Sequence, residues 1–322
     1  MQKKQVDLLT SPKYYLALVA VFRDDVRFLK EWIEFYKLMG VEKFYLYNHL
    51  SKDNYLEVLT PYINENFIQL ENITYNPTTS QEFYKHVQNK VYFKTSMEVK
   101  KDVEWLIFVD TDEFLYPLKE DNLTIALKNY DKEACLSVHW ISFGSSDIQR
   151  IADDELMIEK LVMREKWNHT WVKSIAKPRY IESINTAHQP SLAKGYVAVN
   201  ENFEPFKGSY HSPATSNIFA VNHYRFRDLD FFYETKLQRL YYTSNLNETE
   251  KEKSREAAIL HNKKASQVFS NSILKFVPAL KQQIFKKNNI SSISEEIVID
   301  NEFTTCSIQN EQCYSNLIGE LN

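Results

Sequence analysis

The chain has 322 residues, 43% of them hydrophobic, and a formal net charge of -4 at neutral pH. That length and apolar content suffice for a full core in one large domain, or one domain plus an appendage, and exclude disorder as the main state. Lys and Arg are interspersed with Asp and Glu and form no basic stripe, which argues against a nucleic-acid partner.

In chain order, the apolar run Tyr14 to Phe22 predicts a buried strand that breaks into Arg23-Asp24-Asp25. Leu29, Trp32, Ile33 and Tyr36 then recur at helical spacing, and Gly40 stands where a helix ends in the left-handed region. Lys43 to Tyr47 predicts a second strand, Tyr55 to Leu59 a short helix stopped by Pro61, and Phe67 to Leu70 a third strand. Gln81 to Lys100 has helical spacing and leads into Trp105-Leu106-Ile107-Phe108-Val109, an apolar pentad suited to a central parallel strand. Further strands are expected at Leu136 to Phe143 and Leu161 to Arg164, an irregular loop-rich stretch at Pro178 to Pro213, and helices at Phe231 to Tyr242 and Glu250 to Lys287. This alternation predicts an α/β fold, a mostly parallel sheet flanked by helices with a C-terminal helical extension. The expected division is 1–227 for the catalytic domain, 228–290 for the helical extension and 291–322 for a loosely ordered tail.

Cys135, Cys306 and Cys313 are too few and too widely spaced for a disulfide framework or a four-ligand zinc site. The N-terminus is polar and no window reaches the roughly 18 apolar residues of a spanning helix. A cytoplasmic location is expected on both counts. The basic clusters Lys251 to Lys264 and Lys281 to Lys287 have the composition of a peripheral membrane contact.

The chemical signal is Asp110-Thr111-Asp112-Glu113-Phe114, directly after the apolar pentad. In extended backbone residues i and i+2 point the same way, so Asp110 and Asp112 present two carboxylates to one site beyond the carboxyl end of a central strand. Two hard oxygen ligands suit Mg²⁺ or Mn²⁺, which complete their shells with substrate phosphate and water. The chain has five glycines and no phosphate-cradling glycine loop, so the metal and lone cations such as Lys173, Lys177 and Arg179 are expected to neutralise a diphosphate. The competing reading of Asp112 and Glu113 is a helix cap.

Five stretches in order carry a resemblance. They are Phe22-Arg23-Asp24-Asp25 with the helix that follows, the acidic motif, Trp140-Ile141-Ser142-Phe143-Gly144-Ser145-Ser146, Lys173-Ser174-Ile175-Ala176-Lys177-Pro178, and Asn222-His223-Tyr224. Together, over roughly Tyr14 to Arg239, they resemble the family 92 and family 2-like glycosyltransferases of the GT-A fold. The resemblance implies Asp112 as direct metal ligand, Asp110 as a ribose or metal-water contact that also belongs to the metal site, and His223 completing the shell. An imidazole there tilts the expected cofactor from Mg²⁺ to Mn²⁺. It further implies donor contacts from Lys173, His188 and Gln88, while Asp24 and Asn48 end the strands where base and ribose should lie. Relatives carry an aspartate where this chain has Asn48, which leaves the donor sugar open.

The implied reaction moves a hexose, UDP-galactose being the donor the resemblance suggests, to a saccharide, lipid-linked glycan or glycoprotein acceptor. The implied course is inverting, with a carboxylate base for which Asp147 and Glu201 are the candidates. Rival readings are a non-catalytic sugar- or nucleotide-binding module and a phosphohydrolase of the haloacid dehalogenase type. In the latter the acidic pair ends the first strand, whereas three predicted strands precede it here.

Overall fold

The computed structural model describes residues 11–239 and 246–284. Residues 1–280 form one compact unit and 281–322 a second, of which 281–284 are described. The expected tail 291–322, together with Cys306 and Cys313, lies outside the described residues, whereas 228–239 and 246–280 of the expected extension share the unit that holds the sheet.

The fold is α/β. Strands β1 (Tyr14–Phe22), β2 (Lys43–His49), β3 (Ile68–Ile73) and β4 (Val103–Phe108) form a parallel block in the order β3-β2-β1-β4. The alternation of apolar strands and helical periods over the first 110 residues anticipated this block. β5 (Glu113–Pro117) follows the acidic motif, and β6 (Cys135–Ser142), β7 (Met163–Arg164) and β8 (Val172–Ala176) follow in turn. β8 runs antiparallel between β4 and β6. The stretch expected to be irregular contains short strands β9 (Ile181–Ser183), β10 (Ser191–Leu192), β11 (Ala198–Val199) and β12 (Pro205–Phe206). β13 (Phe219–His223) lies parallel to β6 and antiparallel to β5, and β14 (Val268–Phe269) pairs with β7.

Helix α1 (Val26–Leu38) packs its predicted stripe against the sheet: Leu29, Trp32, Ile33 and Tyr36 are fully buried, each contributing roughly 2 kcal/mol. Gly40 has a φ of 91° and a methyl there would meet Thr124 at 2.4 Å, which is why the turn after α1 takes glycine. Helix α2 (Tyr55–Asn64) continues through Pro61 instead of stopping before it. Pro61 and Glu57, whose carbonyl the proline ring leaves without its helical donor, both lie on the exposed face, and Tyr62 buries its ring and donates to Glu34 Oε1 at 2.6 Å.

The stretch 81–100 is not one regular helix. Helix α3 (Ser80–Phe83), capped by Thr79, passes into a π-helical turn at Tyr84–Gln88 and then into helix α4 (Asn89–Glu98). A second π-helical turn occupies Phe232–Leu237, and the later helix Glu248–Lys264 opens with an Asn247/Glu250 capping box. Among the described residues no helix is long and apolar enough to cross a membrane. Cys135 is buried in β6, where burial pushes its thiol up to about 12 and leaves it an inert core residue.

Candidate functional site

A pocket of about 500 Å³ opens at the carboxyl ends of β1, β2, β4 and β13. Its wall includes Asp25, His49, Gln88, Asp110, Asp112, Trp140, Lys173, His188, His223 and Lys236. Ligand sites of open parallel sheets lie at this edge because the chain diverges into loops there.

The acidic loop is held from three sides. Helix α1 reaches it through Trp32 and Tyr36, whose Nε1 and Oη both donate to the Glu113 carbonyl at 3.0 Å. Glu113 turns its carboxylate back, and Oε2 accepts from Asp110 N at 2.8 Å. On the far side Arg227 bridges Asp25 Oδ1 at 2.8 Å and the Thr111 carbonyl at 3.1 Å, while Thr111 Oγ1 donates to Asp25 Oδ2. Glu113, for which a helix cap was the competing reading, is therefore the brace that shapes the loop.

Asp110 and Asp112 both reach the pocket but meet different partners. Asp110 Oδ1 accepts from Gln88 Nε2 at 2.6 Å, and its Oδ2 faces Lys173 Nζ at 2.9 Å. Lys173 also lies 3.2 Å from Glu113 Oε2. Burial works against the charge on Lys173, but Asp110 and Glu113 overcome it and hold the ammonium well above the usual lysine range. Burial drives the Glu113 carboxyl up against the opposing charge of Lys173. Asp112 Oδ1 lies 3.6 Å from His223 Nε2, and its Oδ2 is in contact with the Lys236 ammonium. Burial raises the Asp112 carboxyl, yet Lys236 and then His223 and Arg227 outweigh it and keep the group ionised far below the usual carboxylate range. His223 is pushed down to about 3 chiefly by burial, with Lys236 and Arg225 adding to the effect against the pull of Asp112. Its imidazole is neutral in physiological conditions.

An ionised carboxylate and a neutral imidazole nitrogen 3.6 Å apart, too far for a hydrogen bond, fit two ligands of one shared divalent cation. The set stops at two, for among the described residues no group of three His, Cys, Asp or Glu is placed to hold a metal. Asp110 is turned to Gln88 and Lys173, which suits a contact through water or to a sugar hydroxyl. A Mn²⁺ or Mg²⁺ here would draw most of its shell from phosphate and water, as such ions commonly do.

His188 lines the pocket. Its Nδ1 lies 3.0 Å from the Val172 carbonyl, which accepts, so Nε2 carries a lone pair. Burial and the Lys173 charge push His188 down to about 4. Gln88 is buried and bonded to Asp110, at the end of the π-helical turn and in line with the buried Tyr92 of α4.

Other expected residues are elsewhere. Asp24 ties the end of β1 to the loop after β2, its Oδ1 accepting from Lys52 N at 2.6 Å and its own N–H donating to Ser51 Oγ at 3.0 Å. Asn48 faces away, bonded to Tyr55 Oη and Asn72 Oδ1, each at 2.9 Å. Their chain neighbours Asp25 and His49 are the pocket residues: in β2 alternation turns His49 to the face opposite Asn48, and past the end of β1 the chain turns at Asp24, whose φ is 51°. Lys177 and Arg179 pair with Glu104 at the start of β4, remote from the acidic motif. Glu201 is a buried anchor, accepting from the N–H groups of Asn217, Ile218 and Phe219 at 2.9 to 3.0 Å. Asp147 sits exposed in a turn with a φ of 58°. Neither of these two acids lines the pocket.

The Phe-Gly-Ser-Ser stretch turns out to lock a helix. A methyl on Gly144 would lie 1.9 Å from Ser266 Oγ, and Ser145 N donates to Asn262 Oδ1 at 2.8 Å. These contacts set the end of the helix Glu248–Lys264, which lays Ala258 and His261 on the pocket wall. Sequence reasoning missed Lys236, Arg225 and Arg239, pocket cations in a stretch with no motif spacing to single them out. Arg239 donates to the Arg23 carbonyl at 2.6 Å, so the segment is fastened across the mouth of β1.

Residues 19–297 match the family model for glycosyltransferase family 92. A family 92 protein of Ricinus communis is 26% identical over 252 residues, covering 73% of this chain and 41% of the relative. One of Oryza sativa subsp. japonica is 24% identical over 227 residues, covering 67% and 34%. The chain thus matches about two fifths of the length of its curated relatives or less. Among solved structures, S. aureus TarS 1-349 in complex with UDP-GlcNAc aligns over 74% of this chain and 69% of that one, with 12% identity and a TM-score of 0.34.

Proposed function

The chain belongs to glycosyltransferase family 92, and from that premise we propose that it transfers a hexose from a UDP-sugar to a saccharide-bearing acceptor with a divalent cation, Mn²⁺ before Mg²⁺. The carrying observation is the convergence of Asp110, Asp112, His223 and Lys173 in one pocket at the carboxyl edge of the sheet. Asp112 and His223 would hold the cation, which would supply charge neutralisation for a departing diphosphate.

The chain's own residues do the rest. Lys173, locked between Asp110 and Glu113, offers an ammonium of fixed position and permanent charge to the donor phosphates. Asp110, held by Gln88, is the acceptor for a ribose hydroxyl or a metal-bound water. In transfer the acceptor oxygen bonds to the anomeric carbon as the bond from that carbon to the phosphate oxygen breaks, and the electron pair leaves with UDP. The hydroxyl proton passes to a base that is neither Asp147 nor Glu201, since both lie outside the pocket. The inverting course and galactose as the sugar follow from the family resemblance; an acceptor on a lipid or protein, a cytoplasmic location and a peripheral membrane contact by basic helix faces are carried forward with them.

The test is a screen of UDP-hexoses for Mn²⁺-dependent release of UDP, with Asp112→Asn as control and product configuration read by NMR. Free phosphate in place of UDP would identify a phosphohydrolase. Calorimetry showing no metal-linked UDP affinity would identify a non-catalytic module.

A further inference from the structure

Outside the pocket, an unbroken line of rings leads away from the proposed metal seat. The His223 ring lies 4.5 Å from Trp140, Trp140 stacks on Trp171 at 6.3 Å with 29° between planes, and Trp171 lies 5.8 Å from Tyr210. His188 fills the angle between the two indoles, 5.2 Å from Trp140 and 4.6 Å from Trp171. Trp140 belongs to the pocket wall, whereas Trp171 and Tyr210 continue beyond it. Their backbones are cross-linked: Trp140 N donates to the Trp171 carbonyl at 2.9 Å, Val172 N to Ser209 at 3.2 Å and His211 N to Thr170 at 2.9 Å. The rings are therefore presented by fixed strands rather than by a loose loop.

Core packing does not account for the outer end. Tyr210 is 67% exposed and Trp167, on the loop between β7 and β8, is 71% exposed, while Trp140 and Trp171 are half-buried. Tyr210 gains little burial in the free protein, and with the half-buried Trp140 and Trp171 it makes an aromatic surface continuous with the pocket, of the kind that marks a ligand site. A wet aromatic track bordered by His169, Thr170 and His211 suits a molecule with flat apolar C–H faces and a rim of hydroxyls. We infer that the track Trp140–Trp171–Tyr210 is the acceptor subsite and takes an oligosaccharide, whose terminal sugar lies at Trp140 beside the donor and whose following units stack on Trp171 and Tyr210. This rests on the glycosyl-transfer reading, since only a donor at Asp112 makes the inner end of the track the reacting end.

The test uses the whole chain with Mn²⁺ and UDP on an array of immobilised mono- to tetrasaccharides, beside calorimetry of UDP binding. Expected is retention of oligosaccharides in preference to the matching monosaccharides, weakened about tenfold in Trp171→Ala and in Tyr210→Ala, with UDP affinity unchanged in both. Tyr210 is exposed enough for its truncation to spare the fold, so it stands if Trp171→Ala fails to fold. Array binding unchanged in Tyr210→Ala, or an empty array for the wild type with UDP binding intact, overturns the track alone. Absence of UDP binding in the wild type overturns the donor reading, and the track falls with it.

Discussion

The contact between Lys236 and Asp112 puts an ammonium where a divalent cation must come, and a double-mutant cycle reads both roles at once. Asp112→Asn leaves Lys236 Nζ largely out of water without its carboxylate, beside the cation Arg227, and removing one partner of such a pair costs roughly 3 kcal/mol of stability. Lys236→Met combined with Asp112→Asn removes both charges, so the double variant should regain most of that loss in urea unfolding of the metal-free protein. Metal affinity is expected to behave differently. Lys236→Met alone frees Asp112 Oδ2, and Mn²⁺ should bind about tenfold more tightly, equivalent to about 1.4 kcal/mol. The gain is smaller than the strength of the pair because a freed carboxylate takes up water. Neither variant carrying Asp112→Asn should show Mn²⁺-linked UDP affinity in calorimetry. Weaker Mn²⁺ binding in Lys236→Met, or metal-linked UDP binding that survives Asp112→Asn, would refute the assignment of Asp112 as the ligand and Lys236 as its competitor.

Three further outcomes are expected. Lys173→Met takes the cation from Asp110 and Glu113 together and should lower stability by about 3 kcal/mol, part of it recovered by adding Asp110→Asn; chemical denaturation measures both. Glu201→Ala removes the acceptor of three backbone N–H groups and should lower stability by roughly 3 kcal/mol, with UDP affinity of the folded fraction unchanged, whereas Asp147→Asn should alter neither unfolding nor product formation measurably. Glu31 accepts from Met157 N at 2.7 Å and Ile158 N at 2.9 Å, and burial raises it from 4.5 to about 7. Its folded state therefore binds the extra proton: the stability it contributes is complete below pH 4.5 and lost as pH rises through 7, a change on the order of 3 kcal/mol. Glu31→Gln should flatten a melting-temperature profile across that window, and a wild-type profile without this component would contradict the raised value.

What the sequence made legible is what depends on strict periodicity. The apolar runs of β1, β2 and β4 and the stripe Leu29-Trp32-Ile33-Tyr36 place the acidic pair at the carboxyl edge of a parallel block, because a run buried on both faces has few other places to sit. Strand ends gave residues to within one position, so Asp24 and Asn48 stood for Asp25 and His49: one step along β2 changes the face of the sheet, and the left-handed turn at Asp24 is not marked by any residue type. Lys177 and Arg179 were invisible as structural pairs because their partner, Glu104, lies some 70 residues earlier in the chain. Glu201 looked like a loop acid for the same reason, since the three N–H groups it serves belong to the start of β13 and the segment before it.

The two π-helical turns each hold a residue that contacts the acidic pair. A period of 3.6 residues assigns faces correctly only while each residue advances by the same angle, and a π turn inserts a residue that rotates everything after it. Gln88, at the end of the turn Tyr84–Gln88, keeps helical spacing with the buried Val91, Tyr92 and Thr95 and meets Asp110, and Lys236, within the turn Phe232–Leu237, meets Asp112. Each aspartate of the pair thus receives a side chain delivered by an irregular turn from a separate part of the chain. An inserted residue weakens local helical hydrogen bonding, and such a defect persists where the displaced side chain has a use. The coincidence of both defects with both carboxylates is an argument for the pocket that owes nothing to family resemblance.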